Sequence, residues 1–298
     1  MHFVATLIAN PASRLDPATL ARVRAVLPDA GEPVWLDRSI AADVPFAAEA
    51  GTDLRNLADR AREAIAGLPV DVVVQPAAQR RKRLFLADMD STMIGQECID
   101  ELADLVGRKT EVAAITEHAM RGEIAFVPAL RERVAILGGL PESVIADVIA
   151  QRITLTPGGR TLIATMRAHG AYTCLVSGGF TQFIETVSAK IGFHEARGNR
   201  LLVSAGKLTG QVADPVFGRE GKRDTLAELQ ARLGLSREET MAIGDGANDL
   251  DMICASGLGI AYHAKPAVAA AAAARIDHND LSALLYVQGY RREEFATE

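Results

Sequence analysis

From residue 84 onward, short apolar runs alternate with longer stretches in which apolar residues recur every three or four positions. RLFLAD (83–88), AYTCLVS (171–177), TMAIGD (240–245) and GLGIAY (257–262) read as strands, and GRTLIATMRAHG, TQFIETVSAKIG and RDTLAELQARLG as helices between them. Nearly continuous apolar strands separated by amphipathic helices predict a mostly parallel, doubly wound α/β sheet covered on both faces.

Two insertions interrupt that alternation. About residues 94–155 keep a helical period throughout, in QECIDELADLVG, KTEVAAITEHAM, FVPALRERVAIL and PESVIADVIAQ, and predict a helical cap. HEARGNRLLVSAGKLTGQVAD (194–214) alternates around a Gly-Lys turn and predicts a β-hairpin. The alanine-rich run at 267–274 predicts a helix lying on the sheet.

The first 79 residues follow a different order. FVATLIA is strand-like, LDPATLARVRAVL is a helix with Asp16 placed to cap and Pro17 in its first turn, and PVWLD and its neighbours are strands. A helix ending at Gly67 and a strand VDVVVQ complete a small ferredoxin-like α+β unit. The division predicted is 1–79 and 80–298, with QPAAQRRKR (75–83) as linker; the basic run RRKR reads as solvated, or alternatively as an anion contact.

Composition narrows the function classes. A formal net charge of −6 argues against a general nucleic-acid binder. Cys98, Cys174 and Cys254 are far apart and odd in number, so neither a disulfide framework nor a zinc site is predicted; each sits in apolar sequence and reads as packing. No apolar stretch approaches the roughly 20 residues of a membrane helix and no basic leader precedes the first apolar run, so a cytosolic location is expected.

The chemistry concentrates at predicted strand ends. LFLADMDSTMIG places Asp88 and Asp90 two apart after an apolar run, where repulsion between them calls for a cation. VSGGF (Ser177, Gly178) and IGDGANDLDM (Asp245, Asn248, Asp249) at such ends, and GREGKRD (Lys222) at a helix start, add a hydroxyl, backbone amides, an ammonium and further carboxylates. Hard oxygen ligands suit Mg²⁺, and the ammonium, hydroxyl and amides suit phosphate oxygens. One aspartate can then attack phosphorus while the other handles the proton. The competing motifs fail: Leu175 stands where a nucleophile elbow needs glycine, Asp249 where a dinucleotide loop does, and no P-loop occurs.

Together DMDST, VSGGF, Lys222 and GDGANDLDM resemble, in their order, the haloacid dehalogenase superfamily of phosphatases over about residues 83–290. The resemblance implies Asp88 as nucleophile and Asp90 as acid and then base. It implies Mg²⁺ held by Asp88, the Asp90 carbonyl and Asp245 with Asp249 supporting, and a phosphoryl group held by Ser177, Gly178 and Lys222, with Asn248 orienting substrate. GQECIDELA and AFVPALRERVAIL are similar to the phosphoserine-specific pattern of cap, which implies Glu97 for a substrate ammonium, Arg133 for its carboxylate and Phe126 as an apolar contact. The reaction implied is hydrolysis of O-phospho-L-serine, the last step of serine biosynthesis. The first 79 residues are similar to ACT-like modules, although the turn NPAS lacks the glycine such modules use near an effector; a structural unit or a homodimer contact is the other reading. Two alternatives stay open: action on another small phosphomonoester, by hydrolysis or transfer, and an amino-acid sensor with a vestigial catalytic unit.

Overall fold

The computed structural model describes residues 1–10 and 12–296; Pro11, in the turn NPAS, lies outside them. The chain begins with β1 (His2–Ala9), α1 (Pro17–Val26), β2 (Val34–Asp37), β3 (Ala41–Ala47), α2 (Leu54–Ala64) and β4 (Val70–Pro76). The four strands form an antiparallel sheet in the order β2-β3-β1-β4, the ferredoxin-like arrangement. Asp16 caps α1 by accepting from the Thr19 amide, and Asp53 caps α2 by accepting from those of Arg55 and Asn56.

The second unit runs through β5 (Leu84–Ala87), α3 (Cys98–Asp104), α4 (Lys109–Met120), α5 (Phe126–Ile136), α6 (Val144–Gln151), α7 (Gly159–Ala168), β6 (Tyr172–Phe180), α8 (Thr181–Ile191) and β7 (Glu195–Asn199). It continues with β8 (Leu201–Ser204), β9 (Lys207–Val212), α9 (Arg219–Leu233), β10 (Thr240–Gly244), α10 (Leu250–Ala255), β11 (Leu258–Tyr262), α11 (Pro266–Ala271), β12 (Ala274–Ile276) and α12 (Ala283–Val287). Six parallel strands stand in the order β12-β11-β10-β5-β6-β7, so β5 is central and β10 and β6 flank it. Loops after those strands open on one edge of the sheet, where doubly wound folds hold ligands.

Helices α3 to α6 form the cap. Its neck is narrow: Ile94 and Leu155 pair as an isolated antiparallel bridge, with Gly95 N donating to Thr154 O at 3.0 Å and Thr156 N to Met93 O at 3.0 Å. Two chain segments crossing side by side make a natural hinge.

Several sequence expectations change. The alanine run is not one helix: α11 ends at Ala271, Ala272 turns extended, and β12 follows, because this edge of the sheet has a vacant strand position and small side chains fit either state. The segment 194–214 divides as well, β7 joining the main sheet and only β8 and β9 forming the hairpin, with Ala205 and Gly206 at positive φ in its turn. That hairpin docks on the cap, Gly139 N donating to Leu208 O at 2.8 Å. Cys254 is exposed and not packed, whereas Cys98 and Cys174 are buried.

RRKR is solvated only in part: Arg81 and Arg83 are exposed, whereas Arg80 is half-buried and Lys82 buried. Arg80 forks onto Asp43 of β3 (2.7 and 3.0 Å), Arg81 lies over the Tyr290 ring at 4.2 Å, and buried Lys82 donates to Glu238 O at 2.6 Å. Arg83 pairs with Glu239. Arg80, which also donates to the Val287 carbonyl, therefore stitches the N-terminal sheet to the second unit, while the other three residues fasten to the second unit alone. Asp71 of β4 completes the seam by accepting from the Asp277 amide (2.8 Å) and the Asn279 side chain (2.8 Å). Among the described residues no helix is long and apolar enough to cross a membrane.

Candidate active site

β5 carries its buried run straight into Asp88, and the chain then makes a tight turn over Met89–Met93, with Ser91 at φ 57°. The turn separates the two acids by function. Asp88 accepts from Lys222 Nζ at 2.5 Å, while Asp90 accepts from the Cys98 amide at 2.9 Å and the Ser177 hydroxyl at 3.1 Å. Lys222 sits in the first turn of α9, fully buried, and its ammonium also reaches Asp249 at 2.6 Å. The loop after β10 supplies Asp245, whose Oδ1 accepts from the Thr92 hydroxyl at 3.1 Å, and Asp249, which turns back to cap the Gly246 amide at 3.1 Å.

Carboxylate oxygens of Asp88, Asp245 and Asp249 all lie within 4.8 Å of one another, and all three residues are buried. One ammonium faces three acids. Burial pushes the Asp88 carboxyl well up, and the neighbouring Asp249 adds to it. Burial, then Asp249, pushes Asp245 up to about 7. Burial also pulls on Lys222, yet Asp249 and Asp88 prevail and hold its ammonium above the usual lysine range. A site that is short of positive charge and rich in hard oxygen donors fits a divalent cation.

Above this floor is a cavity of about 30 Å³ lined by Asp88, Asp90, Ser177, Gly178 and Asn248 from below and Glu97, Met120, Phe126 and Arg133 from the cap. The cavity is partly open to solvent and has room for at least one water between floor and cap. Two glycines let Phe126 of the cap approach the floor closely. A Cβ on Gly178 would lie 2.6 Å from the Phe126 ring, and one on Gly218 would lie 3.0 Å from it.

Each sequence-predicted site residue lies at this place, with Lys222, Asp245 and Asp249 a layer below the cavity wall. Glu97 is half-buried and accepts from the Ser91 hydroxyl at 2.7 Å; burial, and then Asp90, push its carboxyl well up. Among the described residues Asn248 Oδ1 is buried without a hydrogen-bond partner, an acceptor left for a ligand. Sequence reasoning passed over Thr92, although it stands inside DMDST, and Met120, which helical periodicity makes indistinguishable from a core residue.

The profile of haloacid dehalogenase-like hydrolases matches residues 85–253. A phosphoserine phosphatase of Mycobacterium tuberculosis is 44% identical over 227 residues, covering 76% of this chain and 55% of that one. This chain therefore spans about half the length of that relative. Among solved structures, a haloacid dehalogenase family hydrolase from Salmonella enterica serovar Typhi superposes with a TM-score of 0.84 at 29% identity, over 96% of this chain and 98% of the other. A phospho-aspartyl intermediate analogue of phosphoserine phosphatase superposes with a TM-score of 0.66 at 39% identity, over 69% of this chain and 98% of the other.

Proposed function

The chain belongs to the haloacid dehalogenase-like hydrolases, and from that premise we propose that it hydrolyses O-phospho-L-serine to L-serine and phosphate with Mg²⁺ bound. The observation that carries the reading is the lining of one cavity by a phosphoryl-transfer floor and, from the cap, by one acid and one guanidinium. A zwitterionic amino-acid end asks for that pair, Glu97 for the ammonium and Arg133 for the carboxylate.

In the first step an Asp88 carboxylate oxygen bonds to phosphorus as the bond from phosphorus to the seryl oxygen breaks. Asp90 gives its proton to that leaving oxygen. Burial raises the Asp90 carboxyl, against the pull of the bonds from Cys98 and Ser177, which is the direction a proton donor needs. In the second step the now ionised Asp90 takes a proton from water, whose oxygen attacks phosphorus and releases Asp88 and inorganic phosphate. Lys222 balances the charge of the phosphoryl oxygens and the Ser177 hydroxyl donates a hydrogen bond to one of them. Asp88, the Asp90 carbonyl and Asp245 would hold Mg²⁺ with Asp249 beside them in support, and the ion would supply charge neutralisation for the phosphoryl group.

For residues 1–79 we infer a structural part, since Asp43 and Asp71 are committed to the seam. Phosphate release from O-phosphoserine, phosphothreonine and a sugar phosphate tests the substrate. The reading requires the first to be turned over fastest; a preference for the sugar phosphate would replace it with another phosphomonoester.

A further inference from the structure

Arg133 is the one guanidinium lining the cavity, and it lies buried with 4% of its surface exposed. A four-bond stem ending in a charge has many rotamers, so something must aim it. Two bonds do: Nε donates to Ala129 O of its own helix at 3.0 Å, and Nη1 donates to the Thr116 hydroxyl at 2.9 Å. Nη2 has no hydrogen-bond partner among the described residues.

Thr116 belongs to α4, and its hydroxyl lies 2.8 Å from Asp100 Oδ1 on α3 and 3.0 Å from Val112 O. A hydroxyl has one proton to give and two lone pairs to receive with. Giving it to Asp100, a carboxylate, turns a lone pair to the guanidinium. Asp100 also faces Arg133 as a countercharge. One small side chain thus connects three cap helices and fixes the edge of the guanidinium that remains for a ligand.

We propose that Thr116 is a positioning residue that aims Arg133 at the substrate carboxylate, with Asp100 fixing the direction of the hydroxyl, and so sets the enzyme's preference for phosphoamino acids over phosphate esters of simple amines. The inference rests on the function proposed above. It gives the carboxylate selection to a hydroxyl that touches no substrate.

The test compares O-phosphoserine with O-phosphoethanolamine, which is the same molecule without the carboxylate, on full-length wild type, Thr116→Val and Thr116→Ser in saturating Mg²⁺. Thr116→Val keeps the shape and removes the hydroxyl. The expected result is a rise in KM for phosphoserine of about tenfold, with much less change on phosphoethanolamine, and restoration of the preference in Thr116→Ser. Melting temperatures of the three proteins show whether the cap is intact. Equal losses on both substrates, or a preference that survives in Thr116→Val, overturn the inference alone. Wild type without a preference for phosphoserine overturns the function proposed above, and this inference with it.

Discussion

At the seam, Asp43 receives both forks of Arg80 and the Thr6 hydroxyl, and Asp71 receives backbone amides and the Asn279 side chain. At the ends of β5 and β10, Asp88 and Asp249 share the ammonium of Lys222, and Asp245 beside them is met only by the Thr92 hydroxyl. Both groups are buried, so the difference lies in satisfaction. Acids whose lone pairs are met by donors inside the chain fasten two units together; acids crowded against one another raise one another's proton affinity and wait for a cation. Burial of acids by itself thus says little about function, and the unmatched charge says much.

The largest expected effect is on the surplus side. Asp88→Asn leaves the fold and removes the attacking oxygen, and phosphate release is expected to fall by at least about a thousandfold; turnover near wild type would mean that the cluster is structural, like the seam. Next comes stability. Arg80→Ala strands the partly buried Asp43 carboxylate, and a loss of about 3 kcal/mol is expected in urea unfolding, with KM for phosphoserine unchanged. A comparable loss of activity without loss of stability would join the seam to catalysis and erase the contrast.

Mg²⁺ gives a measurement in which the two groups part. At ~100-fold excess over its dissociation constant the ion should stabilise the folded chain by about 3 kcal/mol, an increment kept in Arg80→Ala and lost in Asp245→Asn. Calorimetric melting with and without chelator reads it. An increment lost in the seam variant instead would place the cation elsewhere.

The smallest effect concerns pH. Burial holds the Lys82 ammonium down to about 8, against about 10.4 in an unfolded chain. Below pH 8 both states carry the proton. From about pH 8 to 10.4 only the unfolded chain still binds it, so this group's contribution to stability grows with pH across that window and is lost as pH falls through 8. Lys82→Met should flatten the rise in the urea midpoint over that range; an unchanged slope would show that Lys82 is solvated after all.

The floor of the site was legible because its chemistry is written in short contiguous motifs at strand ends, DMDST, VSGGF and GDGAND, where alternation of apolar runs and helices already announces the parallel sheet. Lys222 could be placed only because that order of motifs demanded a cation. The seam was not legible: RRKR has the composition of a solvated linker, and its partners Asp43, Tyr290 and Glu238 come from distant parts of the chain. The cap was half legible. Helical period revealed its four helices, but Thr116 and Met120 occupy positions that the period assigns to packing, and only the fold brings a hydroxyl on α4 to a guanidinium on α5. Alanine at 267–274 misled because small residues follow whatever the neighbouring strand requires.

The central claim, that the carboxylate of Asp88 becomes covalently bonded to phosphorus, is tested most directly by trapping. The enzyme is mixed with O-phosphoserine carrying a labelled phosphoryl group, quenched in acid within one turnover, and its peptides are mapped. The account predicts label on the peptide that contains Asp88, released by hydroxylamine and absent from Asp88→Asn; label on any other residue, or turnover through unlabelled protein with solvent oxygen delivered to phosphate in a single displacement, would contradict it.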